Sequence, residues 1–207
     1  MKQTEMTVQK STKTNVSLKT SLLTKTAVLS VLAYVLMLLE FPVFFFPGFL
    51  KMDVSDLPAL IGAFALGPMT GVTVELIKNI LHWITVSETG GIGDLANFIV
   101  GIAWILPAAF IYRHKKDKKS AVIGMIIGVI SMAVVAAFTN YYMLIPLYSK
   151  IMPLEAIIEM SAAANMMIID VKTLILYGII PFNIFKGTII TILTLMIYKK
   201  LSPILHR

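Results

Sequence analysis

Long apolar runs separated by short polar breaks organise this chain, and their lengths are those of membrane spans rather than of a soluble core. Residues 1–25 are the exception. They carry Lys2, Lys10, Lys13, Lys19 and Lys25 among Ser and Thr with almost no apolar periodicity, and read as a mostly disordered basic tail leading into the first helix. From Ala27 the sequence stays apolar to Phe46, longer than the ~7–15-residue core of a signal peptide, so this span is expected to remain in the mature protein. Pro42 and Pro47-Gly48 break it. The following stretch, Phe49-Leu50-Lys51-Met52-Asp53-Val54-Ser55-Asp56, mixes aromatic, Met and charge as a loop at the membrane surface does, with Ser55 or Asp56 capping a helix ahead of Pro58.

The second run, Leu57 to Leu66, approaches a minimal span only when counted from Asp53 to Gly67. A Gly67-Pro68 turn leads to a third helix, Met69 to Thr85. The fourth covers Leu95 to Tyr112, kinked at Pro107, and the fifth Ala121 to Pro146. Between residues 147 and 170, Leu154, Ile157, Ile158 and Met160 set against Glu155 and Glu159 predict a short amphipathic helix at the interface. The last span runs from Thr173 to Tyr198, interrupted by Gly178 and Pro181. The pattern predicts an all-α integral membrane protein with six transmembrane helices, a tail over 1–25 and one bundle over 26–207.

Composition agrees: of 207 residues 57% are hydrophobic and 14% charged, against roughly a quarter charged in globular proteins, and the mean hydropathy is +0.85. With no Cys there is neither a disulfide framework nor a thiolate metal site. The net charge of +7 does not point to nucleic acid, because the basic residues sit in loops beside apolar spans. Six crossings put both termini and the Arg113-to-Lys119 turn on one side. That side holds thirteen of the 18 basic residues, leaving Lys51, Lys150 and Lys172 opposite, so the positive-inside rule makes it cytoplasmic.

Candidate chemistry lies in the few polar groups inside the spans. In Pro181-Phe182-Asn183-Ile184-Phe185-Lys186-Gly187, Asn183 and Lys186 share one helix face, and a Lys at membrane depth costs at least ~2.5 kcal/mol unless it meets a cavity or a partner. Glu40, at comparable depth, is the partner to weigh against a ligand. Glu75, Lys78, Asn79 and His82 form a stripe in which Glu75 can neutralise Lys78, either as a structural pair or as part of a site. At ~1.5 Å per residue from the inner boundary, Asn140 lies near 30 Å, Asn183 near 24 Å, Glu40 near 22 Å, Lys186 near 20 Å and Lys78 near 17 Å. Asn97 enters from the outer side. The polar groups thus share the outer half above an aliphatic inner half, as in a cup open outward; a channel or an ion-coupled carrier needs polar groups deeper. Arg113 and Arg207 are both on the inner side, so the cup lacks a bidentate fork for phosphate or carboxylate. Amides from Asn97, Asn140 and Asn183 with flat surface from Phe41, Phe49, Met52, Tyr141 and Phe182 suit a planar heterocycle with a polar tail. Thr26, Ser30 and Ala33 form a small-residue face on the first span, suited to a partner helix or to packing within the bundle.

Seven separated motifs carry a family resemblance: Phe41-Pro42, Leu50 to Leu60, Gly67-Pro68, Glu75 to Asn79, Gly93 to Phe98, Asn140-Tyr141-Tyr142 and Pro181 to Gly187. From about Lys25 to the end the chain resembles the riboflavin-binding S-components of energy-coupling-factor (ECF) transporters. The resemblance implies six helices, riboflavin bound at the extracellular side as substrate with no cofactor, and assembly with a transmembrane coupling subunit and two ATP-hydrolysing subunits that topple this subunit to deliver the vitamin. It also implies flavin contacts from Asn140, Asn183 and Lys186, with the Phe49-to-Asp53 loop (Phe49, Leu50, Lys51, Met52, Asp53) covering the site. Thr26 and Ser30 depart from the Ala-x-x-x-Ala pattern of such subunits. The alternatives are an S-component for another vitamin and an intramembrane enzyme; His82, His114 and His206 form no helical metal motif that would support the latter.

Overall fold

The computed structural model describes the backbone of residues 2–205 and the side chains of 19–197. Helix α1 (Lys2–Met37) runs back through the stretch expected to be a disordered tail, since neither Gly nor Pro precedes Pro42 to stop it. Side chains before residue 19, Lys2, Lys10 and Lys13 included, lie outside the described residues. After α1 the chain doubles back through two short antiparallel strands, β1 (Phe41–Pro42) and β2 (Lys51–Met52), with Phe41 opposite Met52.

Helix α2 (Asp56–Leu66) rises only ~16 Å, about half of a ~30 Å hydrocarbon core. Gly67, at φ 116°, turns the chain into α3 (Pro68–Thr85), whose missing Pro68 N–H costs nothing in the first turn. Helix α4 (Ile92–Lys115) follows. Asp117 then caps α5 (Lys118–Thr139) by accepting the Ser120 N–H at 2.7 Å. A π turn, Asn140–Leu144, continues α5 into α6 (Ile145–Tyr148). The amphipathic α7 (Leu154–Ala164) forms where the sequence predicts it. Finally α8 (Val171–Leu174) passes through a second π turn, Ile175–Ile179, into α9 (Ile180–Leu205).

The six expected transmembrane helices are unequal in length and polarity, the second being the short one the sequence indicates. Among the described residues four rods are long and apolar enough to cross a membrane: Lys19–Met37, Ile92–Lys115, Lys118–Tyr148 and Val171–Ile197. The short α2 and the charge-bearing α3 form a hairpin among them, and α7 is a further rod. Tight packing holds the frame: a Cβ on Gly124 would lie 2.7 Å from the Ala108 carbonyl, and one on Gly128 2.5 Å from the Trp104 ring, so α4 and α5 approach to backbone contact. Trp104, Ile105, Met125 and Met132 fill the interior, while Val28, Val31, Ile126, Ile130 and Ile192 face outward, as lipid-facing positions do.

Candidate functional site

Asn140 and Asn183, each set by a π turn in its helix, line one cavity. Asn140 begins the first, and Asn183 stands four residues beyond the second, where the extra residue per turn shifts the helix face. Each asparagine donates Nδ2–H to the carbonyl one turn back, Asn140 to Ala136 and Asn183 to Ile179, both at 2.8 Å. That bond fixes the rotamer and leaves Oδ1 without a protein donor among the described residues. Asn97, half-buried on α4, completes a ring of three amides around a cavity of about 290 Å³. Phe49 and Leu50 from the loop, Phe182 from α9 and Met132 from α5 supply apolar wall; Ile157 and Met160 of α7 close one flank. Apolar walls with a few convergent hydrogen-bonding groups are the general form of a small-molecule site, and this volume is at the lower end of the usual ~300–1,000 Å³.

Beneath the amides lies a buried ionic cluster. Lys186 Nζ is 2.7 Å from Asp53 Oδ2 and 3.3 Å from Asp56 Oδ2. Lys78 pairs with Asp56, stands 2.9 Å from Glu75 Oε2 and donates to Ser55 Oγ at 2.8 Å. All five charged groups are 5% exposed or less, so each depends on the others for solvation. Asp53 also accepts the Ser55 N–H at 2.7 Å, which turns the chain into α2. The cluster thus ties the loop after β2 to α2, α3 and α9. Above it, Phe46 meets Phe182 edge-on at a ring separation of 5.3 Å and pins the loop to α9.

The expectation that Lys186 faces either a ligand or Glu40 is corrected in its second half: its partners are Asp53 and Asp56. Glu40 instead accepts from Lys51 at 2.7 Å, and Lys51 also reaches Glu88 at 3.2 Å. The Glu40 hydrogen bond holds the Lys51 ammonium above its ordinary pKa. The sequence signal for the missed partners was the pair of carboxylates, Asp53 and Asp56, one helical turn apart at the head of an otherwise apolar α2.

Of the other expected contacts, Asn97, Asn140 and Asn183 line the cavity, as do Lys186 and the run Phe49-Leu50-Lys51. Five residues do not. Met52, 4% exposed, packs into the core behind the loop, and Asp53 is the clamp on Lys186. Glu40 serves Lys51. Phe41 is 56% exposed, and Tyr141 points outward against Tyr142, because one residue of helix rotates it about 100° from Asn140. Thr26, Ser30 and Ala33 are buried, with Leu29 packed over Gly62 of α2, so this face serves the bundle itself. Sequence reasoning missed Glu88, Thr89 and Tyr148, which form part of the cavity wall; they lie in a loop and at the end of a span, where apolar periodicity carries no signal.

Residues 21–198 match the family model described as "ECF transporter, substrate-specific component". The chain is 39% identical over 181 residues to the riboflavin transporter RibU of Staphylococcus aureus (strain TCH60), covering 87% of this chain and 90% of that protein. It is 35% identical over 188 residues to the riboflavin transporter FmnP of Bacillus subtilis (strain 168), covering 90% and 94%. A solved structure described as "Structure and mechanism of the S component of a bacterial ECF transporter" superposes with a TM-score of 0.72 at 35% identity, covering 91% of this chain and 99% of that one. Agreement in family model, sequence and fold over nearly the whole length, around a cavity built for a small molecule, places this chain among the substrate-specific components of ECF transporters.

Proposed function

We propose that the chain captures riboflavin from the outer side of the cell membrane and passes it inward in an ECF complex with a transmembrane coupling subunit and two ATP-hydrolysing subunits. The observation that carries this reading is the ring of three amides around a flat, aromatic-walled cavity. Asn140 and Asn183 each present a free acceptor and a second N–H, which match the alternating donors and acceptors of an imide-like ring edge. Phe49 and Phe182 offer faces for a fused ring system. The names of the two relatives support the same substrate. In this arrangement residues 26–207 form the membrane-embedded binding unit, 1–25 and the C-terminus are cytoplasmic, and the β1–β2 loop covers the ligand from outside. As a substrate-specific component the chain is a transport subunit and not an enzyme.

The test is equilibrium binding to the detergent-purified chain. Flavin fluorescence is expected to be quenched with one-to-one stoichiometry, and protein purified from riboflavin-fed cells to be yellow. Absence of riboflavin binding, with another vitamin bound in its place, would overturn the assignment.

A further inference from the structure

The ionic cluster beneath the amides does not balance if every member is ionised. Lys78 and Lys186 bring two positive charges, whereas Asp53, Asp56 and Glu75 bring three negative ones. All five side chains lie at 5% exposure or less, where no water solvates a surplus charge and an ionisable group takes its neutral form rather than stay unmatched. His82 and Asp94, further along α3 and at the start of α4, meet each other at 2.6 Å and form a separate pair.

Hydrogen bonding singles out the odd carboxyl. Asp53 accepts from Lys186 Nζ and from the Ser55 N–H, and Asp56 receives Lys78 on Oδ1 and Lys186 on Oδ2. Glu75 has one lysine, Lys78, on Oε2 at 2.9 Å, with a long contact of 3.4 Å from Asn79 Nδ2 to the same oxygen. Its Oε1 is buried and receives no hydrogen bond among the described residues, and the same holds for Asn79 Oδ1, one turn along the same face of α3. Two neighbouring buried acceptors thus lack a donor. An ionised carboxylate only accepts, whereas a protonated one carries a donor of its own. From the other side α4 packs its backbone against the carboxyl: a Cβ on Gly101 would lie 2.7 Å from Glu75 Oε2.

We infer that the cluster is a proton-binding site, in which Glu75 holds one proton, taken from water through the cavity that Asp56 lines, and the whole cluster is electrically neutral. The groups facing the Glu75 carboxyl are Lys78 and Asn79 on its own helix, Asp56 from α2, which shares Lys78 with it, and Gly101 from α4; Lys186 of α9 and Asp53 act through Asp56. A metal ion would also supply one or more positive charges, but hard cations take about six oxygen ligands, and the free oxygens here are Glu75 Oε1 and Asn79 Oδ1. Neutrality has a use at membrane depth. A net charge there would tie any movement of the subunit across the bilayer to the membrane potential. The inference holds whichever ligand the cavity takes.

Infrared spectroscopy of the purified, ligand-free chain near neutral pH tests it. A protonated carboxyl has a carbonyl stretch above the amide band that moves down in D2O, and ionised carboxylates have none there. The wild type is expected to show such a band, and Glu75→Gln to lack it, with a melting curve confirming that the variant folds. Asp53→Asn is the charge test: it leaves Asp56 and Glu75 against Lys78 and Lys186, so Glu75 should ionise and the band vanish with Glu75 still in place. Asp56→Asn should do the same by the same count, and covers the case in which Asp53→Asn does not fold. A wild type without the band, or a band that survives Glu75→Gln or either aspartate variant, would overturn the inference. So would a band that appears only when sodium is exchanged for choline, which would assign the charge to a bound metal ion.

Discussion

Lys186 shows how one side chain serves both stability and the site. Its ammonium lies on the cavity wall, yet two carboxylates hold it, so truncation would leave Asp53 and Asp56 sharing only Lys78 in a buried setting. Lys186→Ala is expected to destabilise the ligand-free protein by ~3–5 kcal/mol, because the uncompensated charge rather than the lost contact sets the cost. Adding Asp53→Asn should restore part of the lost melting temperature; a double variant no better than the single one would show that the pair is not the cause. Asn183 is the contrasting case. Its amide is held by the Ile179 carbonyl and leaves no charge behind, so Asn183→Ala should spare the ligand-free melting point and weaken riboflavin binding by about fivefold, the worth of one neutral hydrogen bond of ~1 kcal/mol. The sequence made both residues visible, since a Lys and an Asn one turn apart stand out in an apolar span. It did not reveal the partners of Lys186, because Asp53 lies 133 residues away in a segment that reads as surface loop. Long-range ion pairing leaves no periodic trace.

At the scale of elements, apolar periodicity located the long rods and the amphipathic α7, but it was blind to where a helix stops being regular. The two π turns are not announced by any composition, and α2 falls short because Gly67 reverses the chain after eleven residues. The helix that carries Asn183 and Lys186 starts from a defined cap: Asp170 Oδ1 accepts the Thr173 N–H at 2.7 Å, and Thr173 Oγ1 accepts the Asp170 N–H at 2.9 Å. The Thr173 N–H holds the Asp170 carboxyl below its ordinary value of 3.8. A lowered folded pKa means that the cap contributes fully above that ordinary value and is lost as pH falls through the lower, folded one. Asp170→Ala is thus expected to accelerate amide hydrogen exchange over residues 171–174 at neutral pH without altering exchange in α4. Unchanged exchange at the start of α8 would show that the cap does not anchor this helix.

For the whole molecule, the decisive property is the asymmetry between its two halves. Lys51, Glu88 and the amide ring surround the open end, whereas the opposite end of the bundle is closed by Ile105, Ala108, Met125 and Val129 in contact packing. On the proposed orientation, with the basic loops cytoplasmic, the open end faces outward. Because the chain has no Cys, single probes report cleanly: Glu88→Cys should react with a membrane-impermeant maleimide on intact cells, and Lys116→Cys only after permeabilisation. The reverse pattern would turn the cavity inward. With the open end outside, the same asymmetry limits what the chain achieves alone. An autonomous carrier needs a site that both faces can reach and an ion to drive the exchange. Here the cavity floor is the closed ionic cluster, every lysine in it is compensated, and among the described residues buried in the inner half there are apolar side chains and the hydroxyls of Thr26, Ser30, Thr70, Ser120 and Thr194 but no charged group. Under the proposed function, inward release requires reorientation of the whole subunit, driven by the proposed coupling subunit and its ATPases. Proteoliposomes containing this chain alone are expected to bind riboflavin at their outer face and to show no time-dependent accumulation under sodium, proton or potential gradients. Addition of an ECF coupling subunit and its two ATPases with ATP should then start uptake. Gradient-driven accumulation by the lone chain would mean that a polar path opens through the packed inner half, and would remove the physical basis for assigning it a capture role.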